Sequence, residues 1–454
     1  MTVFATAALA VALLAMPAMW IAIDVAPFLR ARRGPDLAIG LPDTPRHDFS
    51  LLVPIYGSTR YLENVDFLKA YGSRVVLCTT SQETDDFLRE LGEIALAGNF
   101  RVLVCDDGET EVAGDVVGRR SHSGGAVARA TAGSKRDRVI RAALELIRTE
   151  YVVCIDADTM TEQPIDVLVG ALAERQLDFA SVQLVASNRT DTLVTRLQAH
   201  EYMLAMKLRR VCPWLVSGAC HVARTVVHRE VMRRHTLFFQ ANDVEAGLLA
   251  QQLGYRVGHI PFVVPTAVPS TARALLRQRY AWVGGEFRLF AVNWRYARHH
   301  LAFFLYGLGL VIVMFPLRWF AVVNDSLTTL LVLFAVYIAA ITWLCWHERD
   351  YAVVVMPFYT LVSTMLLVPL GALSYIQMAR ASRNRGVIRL EWSRARALAA
   401  SARLFDAAAF NELRAADSIE AVHAAVADVG GPVRAVPVAQ LMAAGGVGEP
   451  SGGR

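Results

Sequence analysis

Apolar and polar positions divide the chain into three stretches. Residues 3–25 are almost unbroken in apolar character, long enough for a bilayer-crossing helix, which needs about 20 residues. Arg30, Arg32 and Arg33 come immediately after and no basic segment precedes the run, a pattern of an anchored helix rather than a cleaved signal peptide. The Arg excess places the chain beyond Arg30 on the cytoplasmic side. From 46 to 295 the pattern changes. Short apolar runs at 49–54, 74–79, 100–105, 151–155 and 179–185 predict strands, and 3.6-residue spacing at 61–71, 83–96, 136–148 and 164–175 predicts helices. This alternation predicts an α/β domain, a mostly parallel sheet with flanking helices, whose ligands bind at the carboxyl ends of the strands.

Three further apolar segments, 301–323, 327–346 and 351–376, are separated by Asn324-Asp325-Ser326 and the charged turn 347–350. The predicted organisation is therefore an N-terminal transmembrane helix (1–29), a cytoplasmic domain (46–295), an α-helical transmembrane region (296–380) and a tail (381–454) that is basic and then disordered. Three crossings from the cytoplasm would put the C-terminus outside. Arg380, Arg383, Arg385, Arg389, Arg394 and Arg396 argue for inside, and Arg318 marks the first of the three segments as a candidate interfacial or re-entrant one.

Composition sharpens this picture. With 54% apolar and 19% charged residues, the chain is too oily for an ordinary soluble enzyme and too polar in its middle for an all-membrane transporter. Lysine occurs only at 69, 135 and 207, so 43 of the 46 basic residues are Arg. They form no stripe interleaved with aromatics, which excludes nucleic acid as a partner and favours anionic lipid and substrate phosphate. The six cysteines show no C-x-x-C pair and no His at metal-ligand spacing. Cys78, Cys105 and Cys154 lie in apolar runs and read as reduced, buried small hydrophobes.

The strongest chemical signal is Tyr151-Val-Val-Cys-Ile-Asp156-Ala-Asp158-Thr159, an apolar strand ending in two carboxylates one residue apart. Both can aim at one point, the arrangement a hard divalent cation takes with substrate phosphates completing its shell. A plain Asp turn is the competing reading. Val53-Pro54-Ile55-Tyr56-Gly57 ends the first strand with Tyr56 as a face for a nucleobase, against an ordinary strand-to-helix loop. Asp106 and Asp107, after the third strand, suit a base or ribose, against a solvated D-G turn. Gly133-Ser134-Lys135-Arg136-Asp137 opens a helix whose N–H groups, with Lys135, favour a diphosphate, against solvated surface charges. Asp243, beside the apolar Phe238-Phe239, is a candidate general base, and a helix N-cap at Asn242 or Asp243 is compatible with that. Arg277-Gln278-Arg279-Tyr280-Ala281-Trp282 offers an aromatic platform with cationic and amide donors, against an interfacial Trp/Arg anchor.

In this order the motifs resemble the membrane-integrated, processive family 2 glycosyltransferases: cellulose, hyaluronan and chitin synthases and bacterial exopolysaccharide relatives. The resemblance spans about residues 50–290 and the flanking membrane segments. It implies a GT-A-like fold, a nucleotide-sugar donor (a UDP-sugar favoured) and Mg2+ or Mn2+ held by Asp156 and Asp158. Tyr56, Asp106, Asp107, Lys135, Asp156, Gln278, Arg279 and Trp282 would contact the donor. Leu215-Val-Ser217-Gly218-Ala219-Cys220 is similar to a small-residue loop and helix start that meets the acceptor, implying Ser217, Gly218, Cys220 and Trp282 as acceptor contacts. Asn242-Asp243 stands where the family has T-E-D, making Asp243 the implied catalytic base. Two departures matter. In Q-x-x-R-W the Arg position holds Ala281, so Arg277 or Arg279 would serve the diphosphate. The family's base-binding Asp follows the second strand, where Asp85 stands, whereas Asp107 follows the third.

The implied reaction is inverting transfer to a growing polysaccharide at the plasma membrane, by a multi-pass protein with a cytoplasmic active domain. The same resemblance implies export of the product, with a homo-oligomer or a partner widening the path. Two rivals remain: a single-sugar transferase acting on a lipid or polyprenyl phosphate, and a membrane transporter or receptor that binds a nucleotide without catalysis. Against the last stand Asp156, Asp158 and Asp243 together, since a binding module needs no base.

Overall fold

The computed structural model describes residues 41, 44–105, 135–209, 212–235, 241–293, 350–383 and 402–415, with isolated helical positions at 331, 335, 338, 339 and 342. The segments 3–25, 301–323 and most of 327–346, on which the multi-pass reading rests, lie outside them.

Eight strands form one sheet in the order β7-β5-β6-β4-β1-β2-β3-β8. They are β1 (Phe49–Pro54), β2 (Val75–Thr80), β3 (Arg101–Cys105), β4 (Tyr151–Ile155), β5 (Phe179–Ala186), β6 (Cys220–Arg224), β7 (Val257–Thr266) and β8 (Arg403–Phe405). The pairs β1/β2, β1/β4, β2/β3 and β5/β7 are parallel, whereas β4/β6, β5/β6 and β3/β8 are antiparallel, so the sheet is mixed.

Both faces of its centre are buried, which is why these strands read as continuous apolar runs rather than alternating ones. On one face Leu51, Val53, Leu77, Val153 and Ile155 meet helices α2 (Asp85–Gly98) and α4 (Ile165–Glu174) through Phe87, Leu91, Leu168 and Leu172. On the other, Leu52, Val76, Val152 and Cys154 meet α3 (Lys135–Leu146), α6 (Thr225–Arg234) and α7 (Asn242–Gln252). The helix expected over 61–71 shortens to a 3-10 turn (Thr59–Tyr61) and the five-residue α1 (Val65–Lys69). The tail expected from 381 is corrected in part: β8 extends the sheet beside β3, and α10 (Ala407–Ala415) packs on α2, with Asn411 Nδ2 donating to the Gly92 carbonyl at 2.8 Å.

Two helices join the sheet to a third, and the first of them, through Met206, also packs on β5. α5 (Leu193–Arg209) and α8 (Ala272–Val292) pack against α9 (Ala352–Arg383). Asp350, just before α9, lies 3.3 Å from His200 and 3.5 Å from Arg196, both on α5. Among the described residues, α9 is the one helix long and apolar enough to cross a bilayer, over Val354–Gln377.

α7 passes the loop before β6 so closely that no side chain fits at Gly247, where a Cβ would lie 2.3 Å from the Trp214 carbonyl oxygen and 2.5 Å from Val216 Cγ2. Both neighbours are buried and the nearer is backbone. Gly247→Ala is therefore expected to cost about 1–3 kcal/mol through overpacking. The measurement is the melting temperature of the purified chain, which an open contact would leave unchanged.

Candidate active site

The carboxyl ends of β1, β2 and β4 lie on one edge of the sheet, and antiparallel pairing brings the start of β6 there too, with Ile155 opposite Cys220. α3 and α7 begin at the same edge. Their junction is Arg136, the second residue of α3. Its Nε donates to Asp156 Oδ1 at 3.0 Å, its Nη2 donates to the Gly218 carbonyl at 2.5 Å, and its Nη1 lies 3.7 Å from Asp137. The Gly218 N–H in turn donates to Asp243 Oδ2 at 2.6 Å, and Asp243 Oδ1 accepts from the Val244 N–H at 3.0 Å. The backbone at Gly218 thus links the guanidinium to the candidate base.

The approach of Asp243 is built by an unusual turn. Ala241 adopts φ +54°, a left-handed conformation that residues with a Cβ seldom occupy, and it is the cap residue of α7. The expected N-cap at Asn242 or Asp243 is corrected accordingly. Both lie in the first turn, and Asn242 Nδ2 instead donates to Asp137 Oδ2 at 2.6 Å, while His235 Nε2–H donates to the Asn242 carbonyl at 2.7 Å.

Burial pushes the Asp243 carboxyl above its ordinary range, and Arg136 with the two N–H donors partly restrains it. Asp156 is shifted the same way, by burial first, with Arg136 opposing and Asp158 and Asp243 adding to the rise. Burial alone would pull the Arg136 guanidinium down, but Asp156 and Asp137 outweigh it. Asp137, Asp156 and Asp243 act on Arg136, Asp158 acts on Asp156, and Arg209 is a second cation acting on Asp243, so four carboxylates face two cations.

That excess of negative charge is the test of a divalent ion, and the residues fit one. Arg136 engages Oδ1 of Asp156, whose side chain is 39% exposed, and Asp158 is exposed, its Oδ1 accepting from the Thr159 hydroxyl at 3.2 Å. Oxygen ligands of this kind suit Mg2+ or Mn2+. The turn that carries them is clamped from below by buried Asn64, whose Nδ2 donates to the Asp156 and Thr159 carbonyls at 3.1 and 2.6 Å.

Beside this cluster lies a second. Lys135 Nζ is 3.1 Å from Glu83 and 5.6 Å from the centroid of the Tyr56 ring, and Glu83 accepts from the Gly57 N–H at 2.8 Å. Burial raises the Tyr56 phenol. Asp85 is exposed in the first turn of α2, which Thr84 caps. Asp106 and Asp107 lie outside the described residues.

The structure gathers some expected residues and disperses others. Tyr56, Lys135, Asp156, Asp158, Gly218 and Asp243 share the strand-end edge, and Ser217 lies beside them, its hydroxyl accepting from the Ala219 N–H at 3.3 Å. Cys220 is corrected in its element: it opens a strand, not a helix, and its side chain is fully buried in the core with Ile155 and Val222. Arg279 is expected at the donor diphosphate. It is buried, lies 2.8 Å from Glu201 on α5 and stacks 4.4 Å from the Trp282 ring centroid. Trp282 is exposed, and the buried Oε1 of Gln278 has no hydrogen-bond partner among the described residues. α8, which carries all three, is tied to the base helix by a buried Arg288–Glu245 pair at 3.0 Å. Sequence reasoning missed Arg136, Asn64, Glu83 and this pair. The one local hint was the run Lys135-Arg-Asp-Arg138 at the start of an otherwise apolar helix.

Residues 151–374 match the model of glycosyl transferase family group 2. That match takes in just under half of the chain, from β4 into α9. An N-acetylglucosaminyltransferase of Rhizobium leguminosarum bv. viciae is 24% identical over 320 residues, 63% of this chain and 74% of that protein. One of Bradyrhizobium diazoefficiens is 27% identical over 169 residues, so that match takes in 34% of this chain and only 35% of the relative. In fold, the mannosyltransferase PcManGT from Pyrobaculum calidifontis, solved in complex with GDP-Man and Mn2+, is similar with a TM-score of 0.51 at 17% identity, covering 81% of this chain and 99% of that one. The α/β fold of this chain is GT-A-like.

Proposed function

We propose that the chain is an inverting, membrane-associated glycosyltransferase that adds a sugar from a nucleotide-sugar to the growing end of a glycan. The observation that carries this reading is the Asp243–Gly218–Arg136–Asp156 chain of contacts, which sets a carboxylate of raised proton affinity beside a cation at the strand ends. Asp243 takes the proton of an acceptor hydroxyl, that oxygen bonds to the anomeric carbon, and the bond to the diphosphate breaks with its electron pair leaving on the nucleotide. A divalent ion held by Asp156 and Asp158 would offset charge on the leaving diphosphate. Lys135 and Tyr56 flank the donor side, and Ser217, Gly218 and Trp282 the acceptor side. The relatives make UDP-N-acetylglucosamine the first donor to try, and the fold neighbour makes GDP-mannose the second.

Membrane association rests on α9. Val354, Phe358, Val362, Leu366, Leu370 and Leu373 recur at helical spacing and are exposed, an apolar stripe of the kind that faces lipid. A single transfer to a lipid-linked acceptor is the second reading, favoured by Ala281 at the Arg position of Q-x-x-R-W and by the pairing of Arg279 with Glu201.

The deciding experiment offers the purified chain in proteoliposomes a radiolabelled panel of UDP- and GDP-sugars with Mg2+ or Mn2+. Long product from one donor is the expected result. A product one sugar long would establish the second reading, and tight nucleotide binding without transfer from any donor would overturn both.

A further inference from the structure

Beneath the carboxylate site lies a different set of ligand-bearing side chains. Cys154 on β4 faces His221 directly across the antiparallel pair with β6, and His228 reaches them from the first turns of α6. All three are buried, and one ligand atom of each lies within 4.8 Å of the other two. A single point is therefore within about 2.8 Å of all three atoms, so small side-chain rotations reach the Zn–S and Zn–N lengths of about 2.3 and 2.0–2.1 Å. Their spacing in sequence gives no sign of this, because only the β4/β6 register and the packing of α6 bring them together.

The alternative is a trio of neutral side chains that fill space, and Phe179 does stack on His221, with ring centroids 5.5 Å apart. Two details go beyond packing. His221 Nδ1–H donates to the Ser217 carbonyl at 3.2 Å, which fixes the tautomer and leaves Nε2 as a bare acceptor; that atom is buried with no hydrogen-bond partner among the described residues. A metal-bound imidazole has the same arrangement, one nitrogen on a backbone carbonyl and the other on the ion. Burial keeps both imidazoles neutral but pushes the Cys154 thiol up, so an ion has to displace a firmly held thiol proton.

We infer that Cys154, His221 and His228 form a buried site for Zn2+ or a like thiophilic ion, distinct from the hard-ion site at Asp156 and Asp158. Sulfur with two imidazoles selects zinc-class ions over Mg2+ or Mn2+. Binding exchanges the thiol proton for the ion. The ion would pin β4, β6 and α6 together under the residues that present Asp156 and the Gly218 peptide. The inference does not depend on which sugar is transferred, or on transfer at all.

The test uses the full chain, stripped with a chelator and titrated with Co2+ as a zinc surrogate. A thiolate-to-cobalt charge-transfer band saturating near one ion per chain is expected, displaced by Zn2+ and retained in excess Mg2+. Asp158→Asn should keep the band and Cys154→Ser should lose it, with Zn2+ raising the melting temperature of the first variant and not of the second. No band in folded wild type, or a band surviving in Cys154→Ser, overturns the site. If Cys154→Ser does not fold, the wild-type and Asp158→Asn titrations still decide: a saturating thiolate band in both supports the site, and its absence from either overturns it.

Discussion

Asp243→Asn is expected to lower kcat by about 10²–10⁴-fold, the usual worth of a positioned general base, with nucleotide affinity changed by no more than a few-fold. The amide is the informative choice. Its oxygen still accepts the Gly218 N–H that Asp243 Oδ2 receives at 2.6 Å, so the 217–219 loop and the Arg136 contact to the Gly218 carbonyl survive while the proton acceptor is gone. Asp243→Ala removes both and should add a structural loss. Nucleotide release under saturating donor and acceptor gives kcat, and calorimetry gives nucleotide affinity. A variant within tenfold of wild type would assign the proton to another group. The same residue sets the acid limb of the pH profile. As the proposed base Asp243 has to be ionised, and burial lifts its carboxyl above the ordinary range, so activity should fall with acidification at a higher pH than an exposed Asp would give.

How much of the fold and site is legible in the sequence depends on what each residue answers to. β1 and β4 are readable to the residue, because a run apolar but for Ser50 ends at the turn-forming Pro54 and a wholly apolar one ends before Asp156. β6 is not, since Cys-His-Val-Ala-Arg lacks an apolar run and is a strand only because β4 and β5 pair with it on either side. β7 carries Pro261 and Pro265, which argue against a central strand; it sits at the sheet edge, where a missing N–H is tolerated. β8 is three residues long and exists because β3 offers it an edge. The helix expected over 61–71 fails because Asn64 is committed to the turn that carries Asp156 and Asp158. In the site, the carboxylates are legible as motifs at strand and helix ends. Arg136 is not, because its partners lie 20 and 82 residues away and nothing local distinguishes it from its charged neighbours.

Arg136→Gln should show what that residue does. Breaking a fully buried ion pair costs about 3–5 kcal/mol; Asp156 is partly exposed, so about 1–3 kcal/mol at neutral pH is expected here. The loss should depend on pH in a definite direction. Asp156 and Asp243 already have folded proton affinities above the unfolded values, so they favour folding most when protonated, and that contribution fades as pH rises through the folded pKa. Without Arg136 both folded values climb further, and the fading moves to higher pH and deepens. The variant should therefore be closer to wild type in melting temperature at about pH 5 than at about pH 8, the reverse of ordinary acid denaturation. Its acid limb of kcat/KM should shift toward alkaline pH, because Asp243 now ionises later. Adding Asp156→Asn removes one stranded carboxylate and should recover part of the melting temperature without recovering transfer. An equal drop in melting temperature at both pH values, with the acid limb unmoved, would mean that Arg136 holds the Gly218 loop as a hydrogen-bond donor and not as the counter-ion of the two carboxylates.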